Sequence, residues 1–288
     1  MNSINKAASQ DGWDLILRPH RSWWDLRLGA LWRYRDLIWL FVWRDFVSIY
    51  RQTILGPWWY LIQPLLTTAV FTFIFSGIAH LSTDGLPSFL FYLAGNTIWT
   101  YFSMCFTNTS NTFGANVMIF GKVYFPRLVV PVAVMISALI SFGIRLVLLV
   151  GFMIYFMATG ASIHPNSSII LMPILLLIMG GMGMGSGIIV SSLTIKYRDL
   201  QQLVNFGVQL LMYATPVIYP LSTVKGISRL VVLANPLTPV VEAFRSAFLG
   251  AGTINPIYLI YSFVCMLVIF VGGVLFFNHV ESNFMDTI

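Results

Sequence analysis

Residues 146–195 decide the fold, and they read LVLLVGFMIYFMATGASIHPNSSIILMPILLLIMGGMGMGSGIIVSSLTI. No Asp, Glu, Lys or Arg interrupts this stretch, and a polar turn at 164–168 divides it. A helix needs about 20 apolar residues to cross the hydrocarbon core of a bilayer. Before the turn, the apolar stretch continues back to residue 131 with one interruption, Arg145. We therefore expect membrane-spanning helices over 131–158 and 169–195, joined by an external turn.

The rest of the chain shows the same pattern. It is 58% hydrophobic and 9% charged, with a mean hydropathy of +0.82, as expected for a chain whose solvent is mostly lipid. Further charge-free stretches predict spans over 57–79, 88–108, 203–219 and 256–277. The predicted fold class is therefore all-α, a polytopic membrane protein with six transmembrane helices.

The stretch 203–219 is only just long enough to cross, and Pro216 and Pro220 interrupt its outer end. A five-span topology without this segment stays open. The segment 221–255 carries charges, prolines and glycines but keeps short apolar pieces. This pattern predicts two short re-entrant helices between the fifth and sixth spans.

The charge distribution predicts the orientation. Half of the 16 Lys and Arg residues lie before residue 52, and twelve of the 16 fall on one predicted side of the membrane. The positive-inside rule places that side, with both termini, in the cytoplasm. Anionic lipid headgroups explain the net charge of +6. Nucleic acid is not an expected partner, since no basic and aromatic recognition motif accompanies the charge.

The first 55 residues are predicted to be a cytoplasmic N-terminal segment, and 56–288 the transmembrane domain. Trp24, Leu28 and Leu31 are spaced at i, i+4 and i+7 with arginines beside them. This spacing indicates an amphipathic helix that lies on the cytoplasmic leaflet.

The sequence does not indicate a catalytic or metal site. Its four histidines are widely separated, and no His, Asp or Cys cluster has the spacing of metal ligands. The glycine-rich segment 180–187 lacks the Gly-Lys-Ser/Thr ending of a phosphate loop. Its small residues repeat at four-residue spacing, Gly181 with Gly185 and Gly183 with Gly187. We therefore expect close helix packing there rather than a hinge.

Arg145 lies inside the third predicted span. A charged side chain at that depth is costly unless it finds a polar partner or water. Ser, Thr and Asn residues of the second span can supply a structural contact, and lining of an aqueous path is the alternative. The sequence leaves both open.

Two predicted cytoplasmic elements combine apolar and basic residues: the loop 113–126 and the turn 196–200. Each is explained by positive-inside anchoring alone. Together, with Met118, Phe120 and Tyr197 placed in an aqueous loop, they also suit docking of a soluble partner.

Several motifs occur in a fixed order along the chain: Arg44-Asp45-Phe46, Leu55-Gly56-Pro57-Trp58-Trp59, Phe125-Pro126-Arg127, Tyr197-Arg198-Asp199, and Asn235-Pro236-Leu237-Thr238-Pro239 followed by Glu242 and Arg245. In these motifs and their order the chain resembles the permease subunit of bacterial ABC-type polysaccharide exporters, the class that exports O-antigen, capsule or teichoic acid. The resemblance covers nearly the whole chain.

The resemblance implies a homodimer in the bacterial cytoplasmic (inner) membrane, with a channel between protomers lined chiefly by the first and fifth spans. It also implies two copies of a separate cytoplasmic ABC ATPase, which bind ATP and Mg, while this chain itself binds no cofactor. The implied substrate is a glycan, most simply O-antigen, linked to undecaprenyl diphosphate, and membrane lipids surround the assembly.

The resemblance also implies roles for individual residues. ATPase docking falls on Met118, Ile119, Phe120, Lys122, Tyr197, Arg198 and Asp199. The outer gate falls on Asn235, Pro236, Glu242 and Arg245. Arginines beside the first span suit the lipid diphosphate, although ordinary headgroup binding explains them as well; they are Arg27, Arg33, Arg35, Arg44 and Arg51.

A glycan path needs aromatic faces and hydrogen-bonding groups in a passage that lipid does not fill. The candidates are Trp59, Tyr60, Gln63, Thr67 and Phe71 in the first span, and Gln202, Asn205, Phe206, Gln209 and Tyr213 in the fifth. The five in the fifth span share one helical face. Such a polar stripe favours a channel over a helix contact, while tryptophan near a span end is also typical of the membrane interface.

Three other classes of function predict different features. The nearest rival is an ABC permease for drugs or small lipids, although drug-type members of the wider group usually carry a large external domain or a fused ATPase. A membrane enzyme that modifies glycans would need clustered carboxylates or histidines at one face. An ion-coupled carrier would need paired buried carboxylates or a repeat between halves, whereas Glu242 has a simple i, i+3 partner in Arg245.

Overall fold

The computed structural model describes residues 28–50, 56–112, 114–116, 125–194 and 199–284, and the regular structure within them is helical. The first half of the chain forms α1 (Leu28–Arg33), α2 (Arg35–Tyr50), α3 (Trp59–Phe71), α4 (Ser88–Ser110) and α5 (Val129–Ala158). The second half forms α6 (Met172–Thr194), α7 (Leu200–Tyr213), α8 (Ile227–Ala234), α9 (Thr238–Leu249) and α10 (Pro256–Phe284). A 3₁₀ turn precedes α3, and a π-helical segment, Thr72–Ile78, continues it.

Four helical segments of the described chain are long and apolar enough to cross a membrane: Trp59–Ile78, Val129–Ala158, Ser167–Thr194 and Pro256–Phe277. The number rises to five if α8 and α9, which meet at 89°, form one broken span. Four of the predicted spans thus coincide with these segments, but six spans are not confirmed. The helices at the other two predicted spans, α4 and α7, differ from a simple crossing in different ways.

Helix α7 is shorter than the prediction of 203–219. It ends at Tyr213, and the chain continues through turns toward Pro216 and Pro220. Its 14 residues rise only about 21 Å, less than the roughly 30 Å of a hydrocarbon core. The prolines explain the early end, since they cannot donate the backbone hydrogen bonds that would extend the helix.

Helix α4 occupies the predicted position, but it is the centre of the bundle rather than a lipid-facing span. Every residue from Leu90 to Trp99 is buried, and α3, α5, α6, α7 and α9 all pack against it. Because its neighbours are protein, its Ser, Thr and Asn residues need not face lipid. Low hydropathy here therefore reflects a central position.

The glycines of α6 pack in the way that their spacing predicts. An added Cβ on Gly183 would meet backbone of α4 at 2.9 Å, and one on Gly185 would meet the Cα of Phe270 in α10 at 2.7 Å. From the side of α10, a Cβ on Gly273 would meet the carbonyl oxygen of Gly185 at 2.5 Å. The two glycine faces let α6 approach two helices at once, so the predicted packing role is confirmed.

The two short helices predicted within 221–255 are present as α8 and α9. Pro239 lies in the first turn of α9, where its missing N–H is tolerated. Gly250 ends α9 with φ of 80°, a left-handed conformation that favours glycine. All of α9 is buried, whereas α8 exposes most of its surface.

Helix α2 packs along the start of α5. Phe41 and Val42 are buried against residues 125–133, while Trp39 and Trp43 are exposed on the opposite side. Exposed tryptophans are typical of the membrane interface. The predicted amphipathic helix around Trp24 begins outside the described residues, and the division into segments 1–55 and 56–288 stays a prediction.

Candidate functional site

The polar stripe of α7 lies on the surface of the single chain. Val204 and Val208 are the buried residues of this helix, and they join the core cluster that contains α4. All five stripe residues are exposed, and Phe206 and Tyr213 retain 59% and 56% of their surface. They are Gln202, Asn205, Phe206, Gln209 and Tyr213. The predicted shared face is thus observed, and its amides project away from the protomer core.

Helix α3 places its predicted path residues less uniformly. Trp59 and Gln63 are exposed, and Tyr60 and Thr67 are half-buried. The ring of Phe71 packs edge-on against Phe75 and Tyr92, with centroid distances of 5.5 and 6.4 Å. Phe71 therefore packs within the protomer, which sequence spacing alone did not reveal. Because α3 and α7 both pack on α4, the two predicted channel helices share a neighbour.

The described arginines near the first span differ in how firmly they are held. Arg33 and Arg35 are exposed, and Arg35 lies 3.8 Å from the carboxylate of Asp36. Arg44 donates two hydrogen bonds to Asp45 at 3.0 and 2.8 Å, and its guanidinium lies 4.7 Å from the ring centroid of Phe41. Arg27 and Arg51 lie outside the described residues.

The same arginine joins α2 to the start of the 113–126 loop. Arg44 Nη1 donates to Asn116 Oδ1 at 3.1 Å, and Asn116 Nδ2 donates to the carbonyl of Thr112 at 2.9 Å. At the other end of the loop, the rings of Phe41 and Phe125 lie 5.9 Å apart. Helix α2 is therefore attached to both ends of this loop.

Most of the predicted docking residues cannot be placed by the structure. Met118, Ile119, Phe120, Lys122, Tyr197 and Arg198 lie outside the described residues, and Asp199 is exposed at the start of α7. Their docking role stays a prediction. What the structure adds is the attachment of the loop ends to α2.

The predicted outer-gate residues Glu242 and Arg245 are buried in α9 rather than exposed in an opening. Arg245 Nη1 donates to Glu242 Oε1 at 3.1 Å, as the i, i+3 spacing suggests. Its Nη2 donates to the carbonyls of Pro216 and Val217 at 2.8 and 3.2 Å, and the guanidinium lies 3.8 Å from the ring centroid of Phe91. Arg245 thus ties α9 to α4 and to the turn after α7.

The corner between α8 and α9 is tied to the same turn. Asn235 Nδ2 donates to Thr215 Oγ1 at 2.8 Å and to the carbonyl of Ala214 at 3.3 Å. Pro236 follows in the corner and is half-buried. The hydroxyl of Ser222 donates to Asp84 at 2.6 Å, which links this region to the loop before α4. The segment after α7 is therefore fixed from several sides.

A polar cavity of about 370 Å³ lies between α2, α3, α4 and α5, at the end of the bundle that carries the 113–126 loop. Half of its sixteen lining residues carry hydroxyl or amide groups, including Ser137 and Ser141 of α5, Asn108 of α4 and Asn111 just after α4, and apolar side chains and one charged pair complete the lining. This cavity was not predicted from the sequence. Its signal was the Ser, Thr and Asn content of the second predicted span, but four separate segments have to meet before a cavity exists.

Arg145 lies one helical turn beyond Ser141 and is 7% exposed. Among the described residues, its Nε has no hydrogen-bond partner and no ion pair includes it. Tyr60, which lines the cavity, lies close enough for electrostatic interaction with it. The expected structural contact to Ser, Thr or Asn of α4 is therefore not found at Nε.

Within the described part of the chain, no three His, Cys, Asp or Glu side chains cluster as metal ligands. The arrangement is that of a multi-pass helical membrane protein with a polar stripe, a polar cavity and a loop attached to its interface helix. The family model of the ABC-2 type transporter matches residues 36–249. The chain belongs to this family, and it is a permease subunit of an ABC transporter.

The curated relatives cover most of the chain. It is 25% identical over 253 residues to an O-antigen export system permease protein RfbA of Klebsiella pneumoniae, a match that spans 87% of this chain and 94% of the relative. It is 28% identical over 220 residues to the protein of that name from Myxococcus xanthus, covering 76% of this chain and 82% of the relative. Permeases of this family work with an ABC ATPase and typically bind no cofactor themselves.

Proposed function

We propose that this chain is the transmembrane subunit of an ATP-driven exporter of lipid-linked polysaccharide, with O-antigen on undecaprenyl diphosphate as the substrate. Two copies would form the path between them in the bacterial inner membrane, with both termini in the cytoplasm. Two copies of a separate ABC ATPase would supply ATP hydrolysis. The relatives named as O-antigen export permeases support this substrate class.

The observation that carries the proposal is the exposed stripe on α7. Amide groups such as those of Gln202 and Gln209 lose their hydrogen bonds in hydrocarbon, at a cost of about 1–3 kcal/mol per group by mutational data. The stripe therefore needs a polar environment that lipid does not provide. A water-filled passage against a second copy meets this need, and exposed Phe206 and Tyr213 add aromatic faces for sugar C–H surfaces.

Helix α3 would form the other side of this path. Its exposed Trp59 and Gln63 offer one aromatic face and one amide. Tyr60 and Thr67 are half-buried and belong to the path in this proposal, whereas Phe71 supports it by packing on Phe75 and Tyr92.

The attachment of α2 to the 113–126 loop supports a route for coupling. When the ATPase moves this loop, Arg44 and Phe41 would carry the movement to α2, which precedes α3 in the chain. The tie between Arg245 and the turn after α7 would hold the outer end of the path, and Asn235 would hold the α8–α9 corner.

Exposed arginines of the N-terminal region would receive the lipid diphosphate. Arg33 and Arg35 are exposed, and the contact of Arg35 with Asp36 at 3.8 Å lies on the surface. A guanidinium suits phosphate oxygens because it donates in a fork. Arg44 is already engaged with Asp45 and Asn116, so we assign it to coupling first.

A complementation experiment tests the path. In the source bacterium with the chromosomal gene deleted, a plasmid supplies wild type, a Gln209→Leu/Tyr213→Leu double variant, or Gln209→Asn as the amide-retaining control. We expect the double variant to reach the membrane in normal amount but to export little surface polysaccharide, while Gln209→Asn exports. Normal export by the double variant would remove these residues from the path.

Gentle purification from the host membranes tests the assembly. We expect an ABC ATPase in equal copy number, together with diphosphate-linked glycan identified by mass spectrometry. A lipid or drug in place of glycan would redirect the substrate assignment. A clean homo-oligomer without a nucleotide-binding partner would refute the assembly.

A further inference from the structure

We propose that the polar cavity between α2, α3, α4 and α5 binds the zwitterionic headgroup of a membrane phospholipid, with its phosphate beside Arg44 and its ethanolamine ammonium beside Asp45. The site lies within one protomer, and the proposal goes beyond the export function and does not rest on it. The volume of the cavity, about 370 Å³, falls in the range of roughly 300–1,000 Å³ that is common for small-ligand pockets.

Two adjacent residues of opposite charge line the cavity. Arg44 and Asp45 follow one another in α2, and the other lining residues of the described chain are neutral. A simple anion or cation gains little from such a pair, because the residue of like charge repels it from nearly the same distance. A ligand that carries both charges is attracted at both ends. The charge pattern therefore favours a zwitterion.

Both charged side chains keep accessible surface, 41% for Arg44 and 30% for Asp45. A guanidinium has five N–H donors, and Nε, Nη1 and Nη2 of Arg44 each use one on Asp45 or Asn116. A second proton thus remains on Nη1 and on Nη2. Both bonds to Asp45 end on Oδ1, and no bond to Oδ2 is found within the described chain. A phosphate and an ammonium can therefore bind without breaking the pair.

The neutral lining supplies further contacts for each end of the headgroup. Asn108 and Asn111 are exposed, and their side-chain amides can donate to phosphate oxygens. The rings of Phe46 and Tyr60 are stacked in the lining with centroids 6.2 Å apart. Aromatic faces attract an ammonium group. Each charge of the headgroup therefore meets a second kind of contact beside the charged pair.

The position of the cavity favours a lipid over a soluble zwitterion. Helix α2 forms one wall, and its Trp39 and Trp43 are exposed, as is typical of side chains at the level of lipid headgroups. An apolar surface begins beside the cavity, because Ile140 of α5 lines it and the neighbouring Leu139 is 43% exposed. A headgroup in the cavity can therefore keep its acyl chains against the exposed apolar surface of α5.

An ethanolamine headgroup suits Asp45 better than a choline headgroup does. Its primary ammonium has three N–H donors, like that of lysine, whereas choline has no N–H. Hydrogen bonds that involve charged groups are roughly twice as strong as neutral ones. The headgroup of phosphatidylglycerol has no ammonium at all, and Asp45 repels its phosphate. We therefore expect phosphatidylethanolamine to bind most tightly of the three and phosphatidylglycerol most weakly.

Native mass spectrometry of the full chain in a mild non-ionic detergent tests the site. The probes are phosphatidylethanolamine, phosphatidylcholine and phosphatidylglycerol, all with dioleoyl chains and titrated separately. The variants are Asp45→Asn and Arg44→Gln. Asp36→Asn is the matched control, because Asp36 also follows an arginine in α2 but does not line the cavity. The readout is the apparent Kd of the first bound lipid and the ratio of these Kd values between probes.

We expect wild type to bind phosphatidylethanolamine at least about tenfold more tightly than phosphatidylglycerol, the scale of one hydrogen bond to a charged group. Asp45→Asn should lose most of this preference, because it loses the anion but keeps Arg44 for the phosphate. Its binding of phosphatidylglycerol should be unchanged or stronger, which also shows that the variant is folded. Arg44→Gln should weaken binding of all three probes, and Asp36→Asn should keep the wild-type ratio.

Equal affinity of wild type for phosphatidylethanolamine and phosphatidylglycerol would overturn the proposal without any variant. A wild-type ratio retained in Asp45→Asn, or the same loss of preference in Asp36→Asn, would overturn it as well. Tighter binding of phosphatidylglycerol by wild type would also overturn it and indicate an anion site. The measurement needs neither ATPase nor glycan, so failure of this site and failure of the export proposal are distinguishable.

Discussion

Two neighbouring glycines of α10 allow the packing of α6 to be tested with a matched pair of variants. A Cβ on Gly273 would meet the carbonyl oxygen of Gly185 at 2.5 Å and its carbonyl carbon at 3.3 Å. Both atoms are backbone, so no side-chain rotation relieves the contact. A Cβ on Gly272 would meet nothing within 4 Å.

Gly273→Ala therefore forces α6 and α10 apart, and overpacking of this kind typically costs about 1–3 kcal/mol. Gly272→Ala should be neutral, or more stable by up to about 1 kcal/mol from helix propensity. The two variants add the same methyl group to adjacent residues of one helix. Their difference isolates the helix contact from any general effect of alanine.

The assay is thermal unfolding of the purified chain in one detergent, followed by the loss of the monodisperse peak in size-exclusion chromatography. We expect Gly273→Ala to lose the peak several degrees below wild type, and Gly272→Ala to match wild type or exceed it. If the two variants had equal midpoint temperatures of unfolding, the close approach of α6 and α10 would be refuted. A larger loss for Gly272→Ala would refute the orientation of α10.

Three further outcomes are expected. Arg245→Met and Glu242→Gln both break a buried ion pair, which costs about 3–5 kcal/mol. Arg245→Met should reduce the yield of folded chain more, because Arg245 also donates to two backbone carbonyls. Chromatography of detergent extracts measures the yield, and equal yields would contradict this. Asn116→Ala should lower transport-linked ATP hydrolysis without lowering expression, because it releases α2 from the loop; unchanged coupled hydrolysis would reject that link. Tyr197→Ala should weaken stimulation of the ATPase by the permease, and normal stimulation would remove Tyr197 from the docking surface.

Helix positions could be predicted largely from charge, because a bilayer excludes charged residues from its core. Stretches with no charge, or with Arg145 alone, locate four spans, and proline at 256 marks the start of α10 as observed. The polar stripe of α7 was also predictable, since helical periodicity fixes which residues share a face. Pro216 is a signal for the early end of α7 at Tyr213, although the predicted span continued to residue 219.

Other features depend on contacts between distant parts of the chain. Local spacing gives the pair of Glu242 and Arg245, but not the carbonyls of residues 216 and 217 that Arg245 also binds. It likewise gives no sign that Phe71 would pack on Tyr92. Backbone acceptors carry no sequence signature, so a buried arginine that binds them looks like an isolated charge until the fold is known.

The polar residues of α4 show how the same composition can have two origins. At Leu90–Trp99, the helix is buried by its neighbours, and polarity there is permitted because protein replaces lipid. At Asn108, and at Asn111 just after the helix, polar side chains line the cavity. Low hydropathy marks both segments equally. Their positions separate them, because Leu90–Trp99 lies among α3, α5, α6, α7 and α9, whereas Asn108 and Asn111 lie beside the cavity.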